Sequence, residues 1–182
     1  QHELAIAAYA LIDPASAEHI TAELGRAEAL ASENKPDAAI EALQQLAKNE
    51  PGHVDVWAAL GDMQRRNLRF VDAISAYDKA VELVKKPGKD HWVLFYARGI
   101  SHERQKEWPE AEADFRKALE LSPDQPQVLN YLGYSYLEKK INLDEAMGMI
   151  ERASNARPDD GAITDSLGWA LYQQGHYEKA AP

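Results

Sequence analysis

Residues 57–83 read WAALGDMQRRNLRFVDAISAYDKAVEL, and the spacing within this stretch decides the fold. Phe70 lies three residues before Ala73, Tyr77 four after it, and Ala80 three further on. Steps of three and four keep these side chains on one face of a helix. Gly61 stands nine residues before Phe70 on a second amphipathic stretch, so the unit is two helices joined by a short turn. A small residue where two helices cross lets their backbones approach, and the neighbouring aromatic fills the space between successive hairpins.

The same ladder recurs outward in both directions. It reads Trp108, Ala111, Phe115, Ala118 and Pro123, then Leu143, Ala146, Ile150, Ala153 and Pro158, and upstream Pro36, Ala39, Leu43, Leu46 and Pro51. The anchor alanines Ala39, Ala73, Ala111, Ala146 and Ala180 are 34, 38, 35 and 34 residues apart, and Ala5 with Tyr9 continues the series upstream. The glycine ladder follows it. Gly99 lies nine before Trp108, Gly168 nine before Tyr177, Gly133 ten before Leu143, and Ala27 takes the small position nine before Pro36. A fixed period of this length signals a repeat architecture.

This pattern resembles the tetratricopeptide repeat, with signature W-x2-L-G-x2-Y, then A-x3-F, then P. Trp57, Leu60, Gly61, Ala73 and Tyr77 match it, as do Leu132, Gly133, Tyr136, Ala146 and Pro158. Arg98 replaces the leucine before Gly99, Gln64 and His102 replace the tyrosine, and the first repeat lacks the Trp and Gly. The resemblance implies an all-α, right-handed α-solenoid of antiparallel helix pairs. The expected organisation is a single array over 1–182. Residues 1–15 form the second helix of a preceding repeat, and repeats follow at 16–52, 53–90, 91–125 and 126–160, with a truncated fifth at 161–182. Lys85 to Asp90, with Pro87 and Gly88, lengthens one connection, and Ile141-Asn142 adds a residue to the turn of the fourth repeat. A start at Gln1 and a stop at Pro182 inside the pattern read as an excised fragment. Its end would leave Leu167, Leu171 and Ala180 partly bare and open to self-association.

Composition narrows the function. The 182 residues are 45% hydrophobic and 27% charged, as in globular proteins. With 30 acidic against 20 basic residues the formal charge is −10, which disfavours nucleic acid and anionic membrane surfaces. No apolar run reaches the roughly 20 residues of a bilayer span, so no direct membrane insertion is expected. There are no cysteines, hence no disulfide and no thiol chemistry. His102-Glu103 begins like a zinc-protease helix, but Lys106 stands where the second histidine belongs. No nucleophile elbow or phosphate loop is present. Catalytic residues, metal and cofactors are therefore expected to be none.

What remains is a surface. In the resembled fold the first helix of each pair lines a concave groove, and the exposed stripe lies three before, one after and four after each glycine. Here it reads Ala58, Asp62 and Arg65, then Tyr96, Ile100 and Glu103, then Asn130, Tyr134 and Leu137, then Asp165, Trp169 and Tyr172. The partner-binding candidates are Tyr96, Ile100, Asn130, Tyr134, Leu137, Asp165, Trp169 and Tyr172, because clustered aromatics favour binding hot spots. These rings fit two roles, partner contact or packing against adjacent helices. Trp57, Trp108, Phe115 and Tyr77 hold motif positions and are expected in the core. The basic and amide set with which some members of the family clamp chaperone tails is absent.

The expected function is a non-catalytic scaffold or adaptor for a protein or peptide. The alternatives are a self-assembly module and a substrate-recruiting segment of a larger envelope protease or hydrolase complex. The last comes from a further resemblance: the run from Val128 to Tyr177 is similar to long tetratricopeptide proteins of Gram-negative, especially alphaproteobacterial, species. That resemblance implies a periplasmic or envelope location, with the cytoplasm as the other possibility.

Overall fold

The computed structural model describes residues 2–9, 11–13 and 15–180. Gln1 and Pro182, the two ends noted in the sequence, lie outside them. All regular structure among the described residues is helical, as the 3.6-residue periodicity requires. The helices are α1 (His2–Tyr9), α2 (His19–Ser32), α3 (Pro36–Asn49), α4 (Val54–Arg66), α5 (Phe70–Leu83), α6 (Trp92–Arg104), α7 (Trp108–Leu121), α8 (Pro126–Lys139), α9 (Leu143–Ala156), α10 (Gly161–Gln173) and α11 (Tyr177–Ala180). One turn of 3-10 helix, Lys89–His91, precedes α6. None of these helices is long and apolar enough to cross a membrane.

Short turns make consecutive helices into hairpins, and among the described residues one backbone device closes five of them. Asn34, Leu68, Lys106, Lys140 and Gly175 all adopt positive φ, between 56° and 79°. At each, that residue's N–H bonds the carbonyl three back and the next N–H bonds the carbonyl five back. Examples are Leu68 to Arg65 at 3.0 Å with Arg69 to Gln64 at 2.9 Å, and Gly175 to Tyr172 at 3.0 Å with His176 to Leu171 at 2.9 Å. This is the Schellman arrangement, which satisfies the last free carbonyls of the helix. The added residue in the turn after α8 is accommodated by a second left-handed residue, Asn142, directly before α9.

Packing divides the chain into two compact units. One comprises residues up to Pro87 together with Ala97–Ala111, the other Gly88–Tyr96 and the residues from Glu112 onward. In the first, Ala39, Ile40, Leu43, Leu46 and Ala47 of α3 pack with Val56, Leu60 and Met63 of α4 and with Ala27 and Ala76. In the second, Phe115, Val128, Leu129, Leu132, Tyr136 and Ile150 are fully buried. Each such side chain contributes about 1.5–3 kcal/mol by leaving water. The anchors Ala39, Ala73, Ala111 and Ala146 are all inaccessible. The glycines explain themselves in distances. A Cβ on Gly61 would lie 2.8 Å from the Tyr77 ring, and one on Gly133 would lie 2.9 Å from Ile150 and 3.0 Å from the Ala146 carbonyl.

Two polar clusters lock the hairpins. In the first unit the Tyr77 hydroxyl donates to Asp62 at 2.7 Å and accepts from Arg65 Nε at 3.2 Å. Burial and the Asp62 carboxylate push the Tyr77 phenol up, so it stays protonated. In the second unit Tyr136 donates to Glu112 at 2.6 Å and accepts from Arg116 at 2.6 Å. Arg116 also pairs with Glu145, which holds the guanidinium charged. Asp62 and Arg65, read from spacing as part of the groove stripe, are thus engaged by Tyr77.

Candidate partner-binding face

The second unit carries the exposed aromatics. On α8, Asn130, Tyr134 and Glu138 follow at steps of four and so share one face. On α10, which packs beside α8, Trp169 and Tyr172 project with 38% and 54% of their surface exposed. Their rings stack at 5.7 Å with only 10° between planes, and the Tyr177 ring of α11 meets Tyr172 edge-on at 5.2 Å. Trp169 Nε1 donates to Glu138 Oε1 at 3.1 Å, which fixes the indole across the two helices. Tyr134 is 41% exposed, and its phenol is pushed up by partial burial and by the adjacent Glu138 carboxylate. Asn130 adds an unusual group: its Oδ1 is buried without a hydrogen-bond partner. An orphaned acceptor of this kind costs about 1–3 kcal/mol until a donor reaches it.

The structure brings Asn130, Tyr134, Trp169 and Tyr172 onto the neighbouring helices α8 and α10, and Asp165 is exposed one turn before Trp169. Three other candidates fall elsewhere. Leu137 is 2% exposed and belongs to the core, so it is withdrawn as a contact residue. Its failure has a simple cause. The free face of α8 runs 130, 134, 138, and a step of four from Tyr134 reaches Glu138, whereas Leu137 turns inward. Tyr96 is half-buried in an aromatic cluster with Trp92, Phe115 and Tyr131 at ring distances of 5.8, 6.1 and 6.0 Å. Ile100 is half-buried and belongs to the first unit. Glu138 and Tyr177 were missed by the glycine-based stripe, although the four-residue step from Tyr134 could have found the first.

Among the motif aromatics, Tyr77 and Phe115 are core residues, whereas Trp57 and Trp108 are only half-buried. His102, whose metal reading failed on Lys106, pairs through Nδ1 with Glu107 at 2.7 Å.

Two tetratricopeptide repeat models match the sequence, over residues 24–89 and 92–125. The TPR repeat-containing protein PA4667 of Pseudomonas aeruginosa is 28% identical over 167 residues, which are 92% of this chain and 28% of that protein. The chain therefore spans less than a third of this curated relative. Among solved structures, the crystal structure of MamA superposes with a TM-score of 0.73 at 21% identity, covering 85% of this chain and 87% of that one. YrrB, described as a TPR protein with an unusual peptide-binding site, gives 0.65 at 19% identity over 87% and 79%. At these identities the likeness concerns the fold.

Proposed function

This chain belongs to the tetratricopeptide repeat family, and from that premise we propose that it is a non-catalytic adaptor whose α8 and α10 face holds a segment of a partner protein. The observation that carries the reading is the stacked Trp169–Tyr172 pair, held in place by Glu138 yet still exposed. Rigid aromatic surface gains contact area at little cost in rotamer entropy. Asn130 stands on the same side of α8, one turn before Tyr134. The carboxylates of Glu138 and Asp165, with the chain's net charge of −10, favour a segment bearing Arg or Lys. The relation to a peptide-binding neighbour in YrrB supports the same class of role. A periplasmic or envelope location, and recruitment of substrates to a larger complex there, extend this proposal beyond the chain itself.

The test replaces Trp169 and Tyr172 by alanine and checks by circular dichroism that helicity is kept. Photo-crosslinkers placed at position 134 are then compared in cells of the source organism. Crosslinks to a defined partner that vanish in the Trp169→Ala/Tyr172→Ala protein are expected. Unchanged crosslinking would move the site elsewhere, and crosslinks solely to a second copy of the chain would favour self-assembly.

A further inference from the structure

The first unit contains a cavity of about 540 Å³ walled by α3, α4 and α5, with Gln64 and Leu60 on α4, Gln44 on α3 and Asp72 and Ala76 on α5 among its lining residues. Gln64 is 4% exposed, and its Oε1 is buried with no hydrogen-bond partner. The corresponding place in the second unit is filled. Three residues after Gly133, at the register of Gln64 after Gly61, stands Tyr136, which is completely buried. Its hydroxyl bonds Glu112 and Arg116. Counting from the anchor alanines, Arg116 and Glu145 near its hydroxyl and Met149 beside Gly133 correspond to Gln44, Asp72 and Ala76. The first unit therefore has a shorter amide where the second has a phenol, and an alanine where the second has a methionine. The volume lies in the range of ligand pockets. An unpaired buried amide at its floor is costly until a donor reaches it.

We propose that this cavity receives a tyrosine side chain from a partner polypeptide, filling the space that Tyr136 fills from its own helix in the second unit but entering from the open side, with its hydroxyl hydrogen-bonded to the Gln64 amide. The Trp57 indole, held by its bond to the Pro51 carbonyl at 2.9 Å, forms a rigid apolar wall for the ring. Lys48 on the α3 wall favours an acidic residue flanking the inserted tyrosine, while Lys79 on the α5 wall already pairs with Glu82 at 2.9 Å. The site lies wholly within the first unit and is independent of the α8 and α10 face.

The test is an NMR titration of the Gln64 side-chain amide and the Trp57 indole N–H with p-cresol, toluene and the blocked tripeptide acetyl-Glu-Tyr-Glu-amide. Expected is p-cresol binding about tenfold tighter than toluene, the worth of one net hydrogen bond. The tripeptide should bind at least as tightly as p-cresol. Gln64→Tyr and Ala76→Met, which plug the cavity from two different helices, should each abolish all three. Absence of p-cresol binding, or binding that survives both plugs, overturns the site. Equal affinity for p-cresol and toluene overturns the role of Gln64. Binding of p-cresol without the tripeptide overturns the polypeptide occupant and leaves a pocket for small phenols.

Discussion

At Gly61 the space for a methyl group is already taken by the Tyr77 ring, 2.8 Å away, and Tyr77 cannot retreat because its hydroxyl is held by Asp62 and Arg65. At Gly133 the obstacle includes backbone, the Ala146 carbonyl at 3.0 Å. Gly168 is different: its nearest neighbour across the contact is the Ala180 carbonyl at 3.4 Å, an ordinary distance. Gly61→Ala and Gly133→Ala should therefore each lower stability by about 2 kcal/mol through overpacking, whereas Gly168→Ala should be neutral or better. Urea unfolding of the three variants checks this, and equal midpoints for all three would contradict the contact geometry. Gly61 and Gly133 were legible in the sequence because their contacts admit no side chain. Gly25, whose Cβ position lies 2.8 Å from the Tyr9 ring, was not, since it stands two residues off the ladder where Ala27 satisfied the pattern.

The helices themselves followed from the period, but the closure of their turns did not. Five turns use a left-handed residue, and only Gly175 among those five carries the glycine that would announce it. Asn34 is the next most tolerant type, while Leu68, Lys106 and Lys140 give no sequence signal at all. Leu68 is the clearest misfit, at φ 60° with 74% of its surface exposed, so it gains no packing to offset the strain. A non-glycine residue there costs about 1–2 kcal/mol, and glycine loses about 0.5–1 kcal/mol in unfolded-chain entropy. Leu68→Gly should stabilise the protein by about 0.5–1 kcal/mol, read as a rise in melting temperature of a few degrees. A fall would mean that Leu68 has a packing role its exposure does not reveal.

Across the whole molecule, the division of aromatic residues between fold and surface decides what a mutation reports. Motif spacing placed Trp57, Trp108, Phe115 and Tyr77 in the core; Phe115 and Tyr77 are buried there, whereas the two tryptophans are only half-buried. The binding stripe was read less well, because it was counted from the glycines and one residue separates the inward Leu137 from the outward Glu138. A helix face shifts by 100° per residue, so an error of one position exchanges core for surface. The hydrogen bond from Trp169 to Glu138, which joins α10 to α8, was invisible to periodicity because it depends on how two helices lie together. The consequence can be measured on a single property. Tyr136→Ala removes a fully buried ring together with the acceptor and donor that organise Glu112 and Arg116, and should cost about 3–5 kcal/mol. Trp169→Ala/Tyr172→Ala removes two rings that are 38% and 54% exposed, with one surface hydrogen bond, and should cost about 2 kcal/mol. If chemical unfolding instead finds the Trp169 and Tyr172 pair as costly as Tyr136, those rings belong to the packing of α10, and a loss of partner binding in that variant would no longer locate a site.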